Sequence, residues 1–241
     1  MKKLLKKLSL TLVALTMVLS STVNAQFWGT KGNGIVKKQD REIGSFSAIS
    51  SGSGIDVYLK QGDKESVTVE ADENLLELIV TRIKGDKLVI KTEDPIRRAK
   101  KLNVYVTFVN VNEISVSSGS DLESSHLLKF EDLDISVSSG ADADLELKAD
   151  NLTCSVSSGA DANLSGTANS FYGKASSGSD LRAADLKAKV CKAKASSGGD
   201  VSVYASESIE ASASSGGDVN YYGDPTKVNV SSSSGGDVSR R

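Results

Sequence analysis

The amino-acid sequence predicts an all-β protein: a right-handed parallel β-helix, a triangular solenoid with about 19–20 residues per coil, carrying an atypical β-rich N-terminal head. Three observations lead to this prediction. The motif Ser-Ser-Gly-x-Asp occurs seven times, at intervals of 18 to 21 residues. Small or apolar residues occupy every second position before each motif, the periodicity of a strand with one buried face. Aromatic residues are only 5% of the chain, which suits a narrow core.

Residues 1–25 are typical of a secretory signal peptide. Four lysines are followed by an apolar stretch from Leu8 to Leu19, and Val23-Asn24-Ala25 provides the small residues of a cleavage site. The stretch is shorter than the roughly 20 residues of a membrane-spanning helix, although an N-terminal anchor is the alternative interpretation. No later apolar stretch reaches that length, so the mature chain should lack a transmembrane segment. We expect export to the periplasm, the cell surface or the medium.

The charge balance excludes a nucleic-acid partner. The 241 residues contain 29 basic and 31 acidic side chains, and four of the basic ones lie in the signal region. The mature chain therefore keeps 25 basic against 31 acidic residues and carries a net charge of about −6. Such a chain lacks the basic surface that binding to a phosphate backbone requires.

The first half of the mature chain predicts a cap for the solenoid. Residues 26–44 are polar and rich in Gly and Lys, which favours a flexible leader. Residues 45–112 alternate strongly without the tight repeat, and terminal repeats of a solenoid must be atypical because they cover its open end. The predicted elements are strands at Ile55–Leu59, Ser66–Glu70 and Asn103–Asn110, a hairpin turning at Gly85–Asp86, and a short helical turn from Asp72 to Leu78.

Residues 113–241 form the repeat. The corner glycines are Gly119, Gly140, Gly159, Gly178, Gly198, Gly216 and Gly235. Residues seven, five and three positions before each glycine, and three positions after it, form columns of small or apolar side chains. Glycine supplies the positive φ that a tight corner needs, and serine hydroxyls can bond the turn backbone. A Gly/Ser-rich flexible linker is the alternative reading of the corners, but it leaves the apolar columns unexplained.

The aspartate of each motif is the strongest chemical feature of the sequence. Stacked coils would place these carboxylates about one strand spacing apart, where like charges repel. We expect each to accept hydrogen bonds from corner N–H groups and serine hydroxyls. A row of Ca²⁺ ions and an acidic, pectinase-like surface are the alternatives. The column comprises Asp121, Asp142, Asp161, Asp180, Asp200, Asp218 and Asp237.

The remaining candidate residues favour structural roles. Cys154 and Cys191 fall in different core columns two coils apart, so we expect two buried free thiols. His126 has no partner residues and is expected in a surface loop. Alternating lysines (Lys187, Lys189, Lys192 and Lys194) predict a solvated face partly paired with Glu207 and Glu210, or a contact for an acidic glycan. Tyr221 and Tyr222 are expected to cover the last coil, and Phe27 and Trp28 to lie in the leader.

No constellation of an acid, a base and a charge stabiliser occurs in the sequence. We therefore assign no catalytic, cofactor-binding or metal-ligating residue and predict a non-enzymatic protein. The leading hypothesis is an exported surface adhesin or envelope-binding module with an unknown ligand, a glycan or an envelope protein. The alternatives are a carbohydrate-active β-helix enzyme and a structural protein that self-associates through the edge formed by Val228 to Arg241.

The sequence resembles the family of exported bacterial proteins called putative autotransporter adhesins with a head GIN domain. The resemblance covers Phe46 to about Val238, and its carriers besides the repeats are residues 53–59, Gln61-Gly62, residues 70–76 and Leu88-Val89-Ile90. The name-giving Gly-Ile-Asn is Gly54-Ile55-Asp56 in this chain. The resemblance implies a secreted or surface protein similar to those of Gram-negative Bacteroidetes, and it implies no catalytic motif.

Overall fold

A computed structural model describes residues 29–241; the predicted signal peptide and the Phe27–Trp28 pair lie outside the described residues. Almost all strands join one 17-stranded sheet, and β1 and β8 form a separate two-stranded sheet. Along the described part of the chain, no helix has both the length and the apolar character needed to cross a membrane.

The strands divide into a head and a stack of coils. The head contains β1 (Thr30–Lys31), β2 (Val36–Arg41), β3 (Ala48–Ser51), β4 (Asp56–Gln61), β5 (Ser66–Asp72), a 3₁₀ helix (Glu73–Leu78), β6 (Ile79–Lys84), β7 (Lys87–Thr92), β8 (Ile96–Arg98) and β9 (Leu102–Phe108). The coils contain β10 (Glu113–Val116), β11 (Asp121–Ser124), β12 (Leu128–Ser138), β13 (Asp142–Ser157), β14 (Asp161–Ser176), β15 (Asp180–Ser196), β16 (Asp200–Ser214), β17 (Asp218–Tyr222), β18 (Lys227–Ser233) and β19 (Asp237–Arg240).

The coils stack in parallel and in register, which confirms the predicted β-helix with about seven turns. Asp142 pairs with Asp161, and Asp161 with Asp180, so equivalent motif positions are neighbours in adjacent coils. Strands β13 to β16 have 15 to 17 residues each, so a single strand spans most of the 19–20 residues of a coil. Parallel pairing continues through the gentler bends of these strands, with register irregularities between Asn163 and Ser165 and between Ala183 and Val190. The strands end at the Ser-Ser-Gly corners.

The predicted core columns point inward. In the column after the corner, Leu122, Ala143 and Ala162 are at most 1% exposed, and Val238 in the final described coil is half-buried. The columns before the corner hold equally buried residues, such as Leu152, Cys154 and Val156 in β13. Because the interior is narrow, small and aliphatic side chains occupy most of its positions.

Backbone hydrogen bonds join successive corners. The Gly140 N–H donates to Ser158 O and the Gly159 N–H to Ser177 O, both at 3.2 Å. The serine before each corner glycine also has a positive φ, between 52° and 59° across the seven motifs. The residue after the glycine is always Gly, Ala or Ser, because it points into the core; Ser179 there is fully buried and donates to Val156 O at 2.9 Å.

The head confirms the predicted hairpin and the short helical turn. Strands β6 and β7 pair antiparallel around Gly85, and the 3₁₀ helix covers Glu73 to Leu78. Strands β3 and β4 pair in parallel with β10 and β11, so the head continues into the coil stack without a break.

The prediction of a flexible leader over residues 26–44 is wrong for residues 36–41. These residues form β2, which pairs antiparallel with the whole length of β5 from Val36↔Asp72 to Arg41↔Val67. Lys37, Lys38 and Asp40 are exposed on this edge strand, whereas Arg41 is half-buried and donates to Leu76 O at 2.7 Å. Backbone bonds, rather than one buried face, hold the strand, so alternation gave no signal.

Candidate functional site: the aspartate face

The motif aspartates form one exposed column along the stack. Register pairing adds Asp56 of β4 to the seven predicted residues, since Leu122 pairs with both Val57 and Ala143. Five members are exposed, and Asp56, Asp161 and Asp180 are half-buried. We call these eight residues the Asp column. They present one carboxylate per coil to solvent on a single face.

The prediction that corner N–H groups and serine hydroxyls donate hydrogen bonds to these aspartates is mostly wrong. Within the described residues, Asp218 accepts a backbone N–H bond from Asp237 at 3.1 Å, and this is the only such bond in the column. Arg182 instead lies between two coils, bonded to Asp180 and 3.4 Å from Asp161. Asp237 also accepts a bond from the Ser239 hydroxyl. The corner N–H groups are already used in coil-to-coil bonds, so, within the described part of the chain, the other carboxylates of the column accept no bond from them.

Two aspartates at the head end of the column have raised pKa values. Desolvation raises the pKa of Asp121, and the neighbouring carboxylates of Asp56, Asp142 and Glu123 raise it further. Desolvation also raises the pKa of Asp56, against the opposing charge of Lys101. Ionisation of Asp121 therefore costs more free energy in the folded protein than in the unfolded chain.

Replacing Asp121 by asparagine should stabilise the protein at neutral pH by about 0.5 kcal/mol, because it removes a charge that is partly desolvated and repelled by neighbouring carboxylates. A raised folded-state pKa means that the penalty is full above that pKa and disappears as the pH falls through it. Thermal unfolding of D121N and wild type measures the difference. It should shrink in high salt and below about pH 4. A stabilisation that persists unchanged in acid would contradict this explanation.

A stacked tyrosine pair adjoins the Asp column. The rings of Tyr58 and Tyr105 lie 5.2 Å apart at 21°, and Lys38 Nζ lies 5.1 Å from the Tyr105 ring. The Tyr105 hydroxyl donates to Glu70 at 2.7 Å. The sequence analysis did not predict this pair. A signal was present, since Tyr58 and Tyr105 each stand two residues after the register partners Asp56 and Asn103.

The two cysteines are free and buried, as predicted. Burial raises the pKa of Cys191 to about 12, and burial together with Asp134 raises that of Cys154. Because the thiolate is the reactive form, iodoacetamide should leave both thiols unmodified in the native protein at pH 8 and modify both in denaturant. Mass spectrometry reads the result. Rapid labelling of the native protein would show that the core opens locally.

The other candidate residues do not converge on one site. His126 is exposed, with Nδ1 3.2 Å from Ser125 Oγ. Lys192 pairs with Glu210 at 2.6 Å, as predicted, and Lys187 Nζ lies 4.3 Å from the Tyr204 ring. Tyr221 is 8% exposed and Tyr222 37%, so the first of the pair packs on the core and the second faces solvent.

The arrangement provides one repeated acidic group along a long face. Among residues 29–241, no group of three or more His, Cys, Asp or Glu side chains has the geometry of a metal site. An extended row of like groups can contact an extended ligand at several levels at once, and such contacts reinforce one another.

One protein family and several solved structures are similar to this chain. Residues 45–225 match the family model described as "Putative auto-transporter adhesin, head GIN domain". No curated protein matches the sequence.

Three solved structures share the architecture. A putative adhesin from Bacteroides fragilis is 23% identical with a TM-score of 0.82, covering 88% of this chain and 100% of that one. A putative lipid binding protein from Parabacteroides distasonis is 20% identical with a TM-score of 0.72, covering 87% and 99%. A putative adhesin from Parabacteroides merdae is 21% identical with a TM-score of 0.70, covering 89% and 99%.

Proposed function

The chain belongs to the "Putative auto-transporter adhesin, head GIN domain" family, and from this premise we propose that it is an exported, non-enzymatic β-solenoid that binds a surface ligand as an adhesin or envelope-binding module. The observation that carries the proposal is the uniformity of the Asp column. Catalysis needs different groups converging at one place, whereas the column repeats one group at every coil. Repetition along a rigid stack suits binding to an extended partner.

Cell binding tests the proposal. Fluorescently labelled protein without the signal region should bind intact bacterial or host cells saturably and be displaced by unlabelled protein. A variant with Asp142 and Asp161 changed to asparagine tests whether the Asp column is the contact surface. The matched control is Asp63→Asn, which changes an exposed head residue outside the column. Absence of saturable binding to any cell or envelope preparation would overturn the proposal.

Export itself is tested separately. The basic start and short apolar stretch support a cleaved signal, and the family supports an exported location. Protease treatment of intact cells should digest a surface-exposed protein, while a periplasmic one is digested only after the outer membrane is opened. Recovery of the full-length chain from the cytoplasm would contradict export.

Self-association is the second candidate function, and the last described coil favours it. All seven residues of β18 are exposed, and Val228 and Val230 have 50% and 44% of their surface exposed although their register partners are core residues. An exposed parallel edge with apolar side chains is a template for pairing with another chain. Sedimentation velocity over a wide concentration range should show assemblies, which Val230→Lys weakens. A monomer at every concentration would exclude this candidate.

A further inference from the structure

We propose that a groove between the head and the first full coil binds a short neutral oligosaccharide. The groove has a volume of about 590 Å³, and its lining includes Gln61, Asn110, Asn112, Phe130, Glu131 and Asp132. The inference names a ligand class and a site for the surface-binding role proposed above, and it rests on that role.

The walls of the groove are rigid. The Gln61 side-chain amide makes two bonds to one backbone residue: Lys129 N–H donates to Oε1 at 2.8 Å, and Nε2 donates to Lys129 O at 2.9 Å. Across the groove, Asn112 N–H donates to Ser47 O and Asn112 O accepts from Asp134 N–H, both at 2.9 Å. Both walls are therefore fixed before a ligand arrives, which lowers the entropic cost of binding.

An aromatic ring lines the groove. Phe130 is half-buried, and its ring is stacked on the fully buried Phe108 with 5.9 Å between centroids. A sugar ring has one face of C–H groups, which packs on such a ring while its hydroxyls reach outward. Aromatic side chains with a few placed polar groups are the usual lining of small-ligand sites.

The polar groups of the groove are available for hydroxyls. Asn110, Asn112 and Glu131 are exposed, and within residues 29–241 their side chains make no hydrogen bond to the protein. Asp132 accepts one bond, from Asn151 Nδ2 at 2.8 Å, and so retains acceptor capacity. An amide both donates and accepts and a carboxylate accepts twice, which matches pairs of adjacent hydroxyls.

The charge of the lining disfavours an anionic ligand. Two carboxylates, Glu131 and Asp132, face one cation, Lys129, so an anionic sugar or a phosphate would meet net repulsion. Apart from Phe130, the only large apolar side chain in the lining is Val111, which is 5% exposed, so the groove has little surface for a lipid chain.

The test uses cello-, malto- and chito-oligosaccharides as probes, first on a printed array and then by calorimetry in solution. Wild type should bind at least one probe series. Phe130→Ala and Asn112→Asp should each weaken that binding about tenfold or more, because one removes the ring and the other the amide donor. Asn112→Asp alters an exposed side chain and guards against misfolding of Phe130→Ala. Tyr222→Ala, at the far end of the stack, is the control and should bind as wild type does.

The outcomes separate this inference from the proposed function. Undiminished probe binding by folded Asn112→Asp and Phe130→Ala would overturn the groove as the site. Saturable cell binding without binding of any neutral probe would overturn the inference and leave the proposed function standing. Absence of saturable cell binding by the wild type would overturn the proposed function itself, whatever the probes show.

Discussion

Changing Gly166 to alanine should destabilise the protein by about 3 kcal/mol, a severe effect for the addition of one methyl group. Gly166 lies in β14 opposite Leu147 of the preceding coil, with φ at +110°. A Cβ at this position would overlap the carbonyl oxygen of Leu147, which is backbone and cannot rotate away. The coils would have to separate locally, with loss of the ladder bonds there. The urea midpoint of unfolding, followed by circular dichroism, measures the change.

Gly159→Ala is the matched control, seven residues earlier in the same coil. Its φ is +66°, so alanine is strained there, but a Cβ would meet no atom within 4 Å. The expected cost is only the left-handed backbone penalty of about 1 kcal/mol. Equal destabilisation by the two variants would contradict the close coil-to-coil contact at Gly166.

Changing Asp72 to alanine should cost about 3 kcal/mol as well, because it removes a buried, hydrogen-bonded carboxylate. Asp72 is 0% exposed and accepts backbone N–H bonds from Gly34, Lys100 and Lys101, at 2.5, 2.6 and 3.3 Å. These bonds fasten the chain before β2 and the loop before β9 to the end of β5. Loss of the carboxylate should free both segments, and thermal unfolding measures the change in stability.

The acid dependence of Asp72 gives a second test. Burial raises the pKa of this carboxyl, but the donors of Lys100, Gly34 and Lys101 outweigh burial and leave the pKa below its ordinary value. A lowered folded-state pKa means that the stabilisation is complete above the unfolded pKa of about 3.9 and is lost as the pH falls through the folded value. The gap between wild type and D72A should therefore narrow in strong acid. Asp63→Ala, at an exposed site, should change stability by less than about 0.5 kcal/mol at any pH.

The repeat could be predicted from the sequence because each coil has the same spacing of apolar residues relative to its corner glycine. Columns such as Leu133, Leu152 and Phe171 have identical spacing to the corner glycine, and identical spacing requires in-register stacking. The hairpin at Gly85 and the helical turn at Glu73 were likewise marked by local residue choice. Local rules repeated many times are what pattern analysis detects well.

Features that depend on tertiary contact were not predictable. Strand β2 is charged and held by pairing with β5, so nothing in its own composition marks it. The left-handed serines were missed because serine rarely adopts that conformation, although its position before every corner glycine was a signal. The groove beside Phe130 joins residues about 70 positions apart, such as Gln61 and Lys129, which no local pattern connects.

A cross-link between neighbouring corners tests most directly whether the coils stack in register. Ser138 and Ser157 are register partners in adjacent coils, whereas Ser196 is three coils from Ser138 in the same column. Cysteines at 138 and 157 should form a disulfide under mild oxidation, because adjacent strands are about 4.8 Å apart and within disulfide reach. Cysteines at 138 and 196 should stay reduced. Peptide mapping that finds no 138–157 bond, or finds the 138–196 bond equally well, would contradict the stacked solenoid.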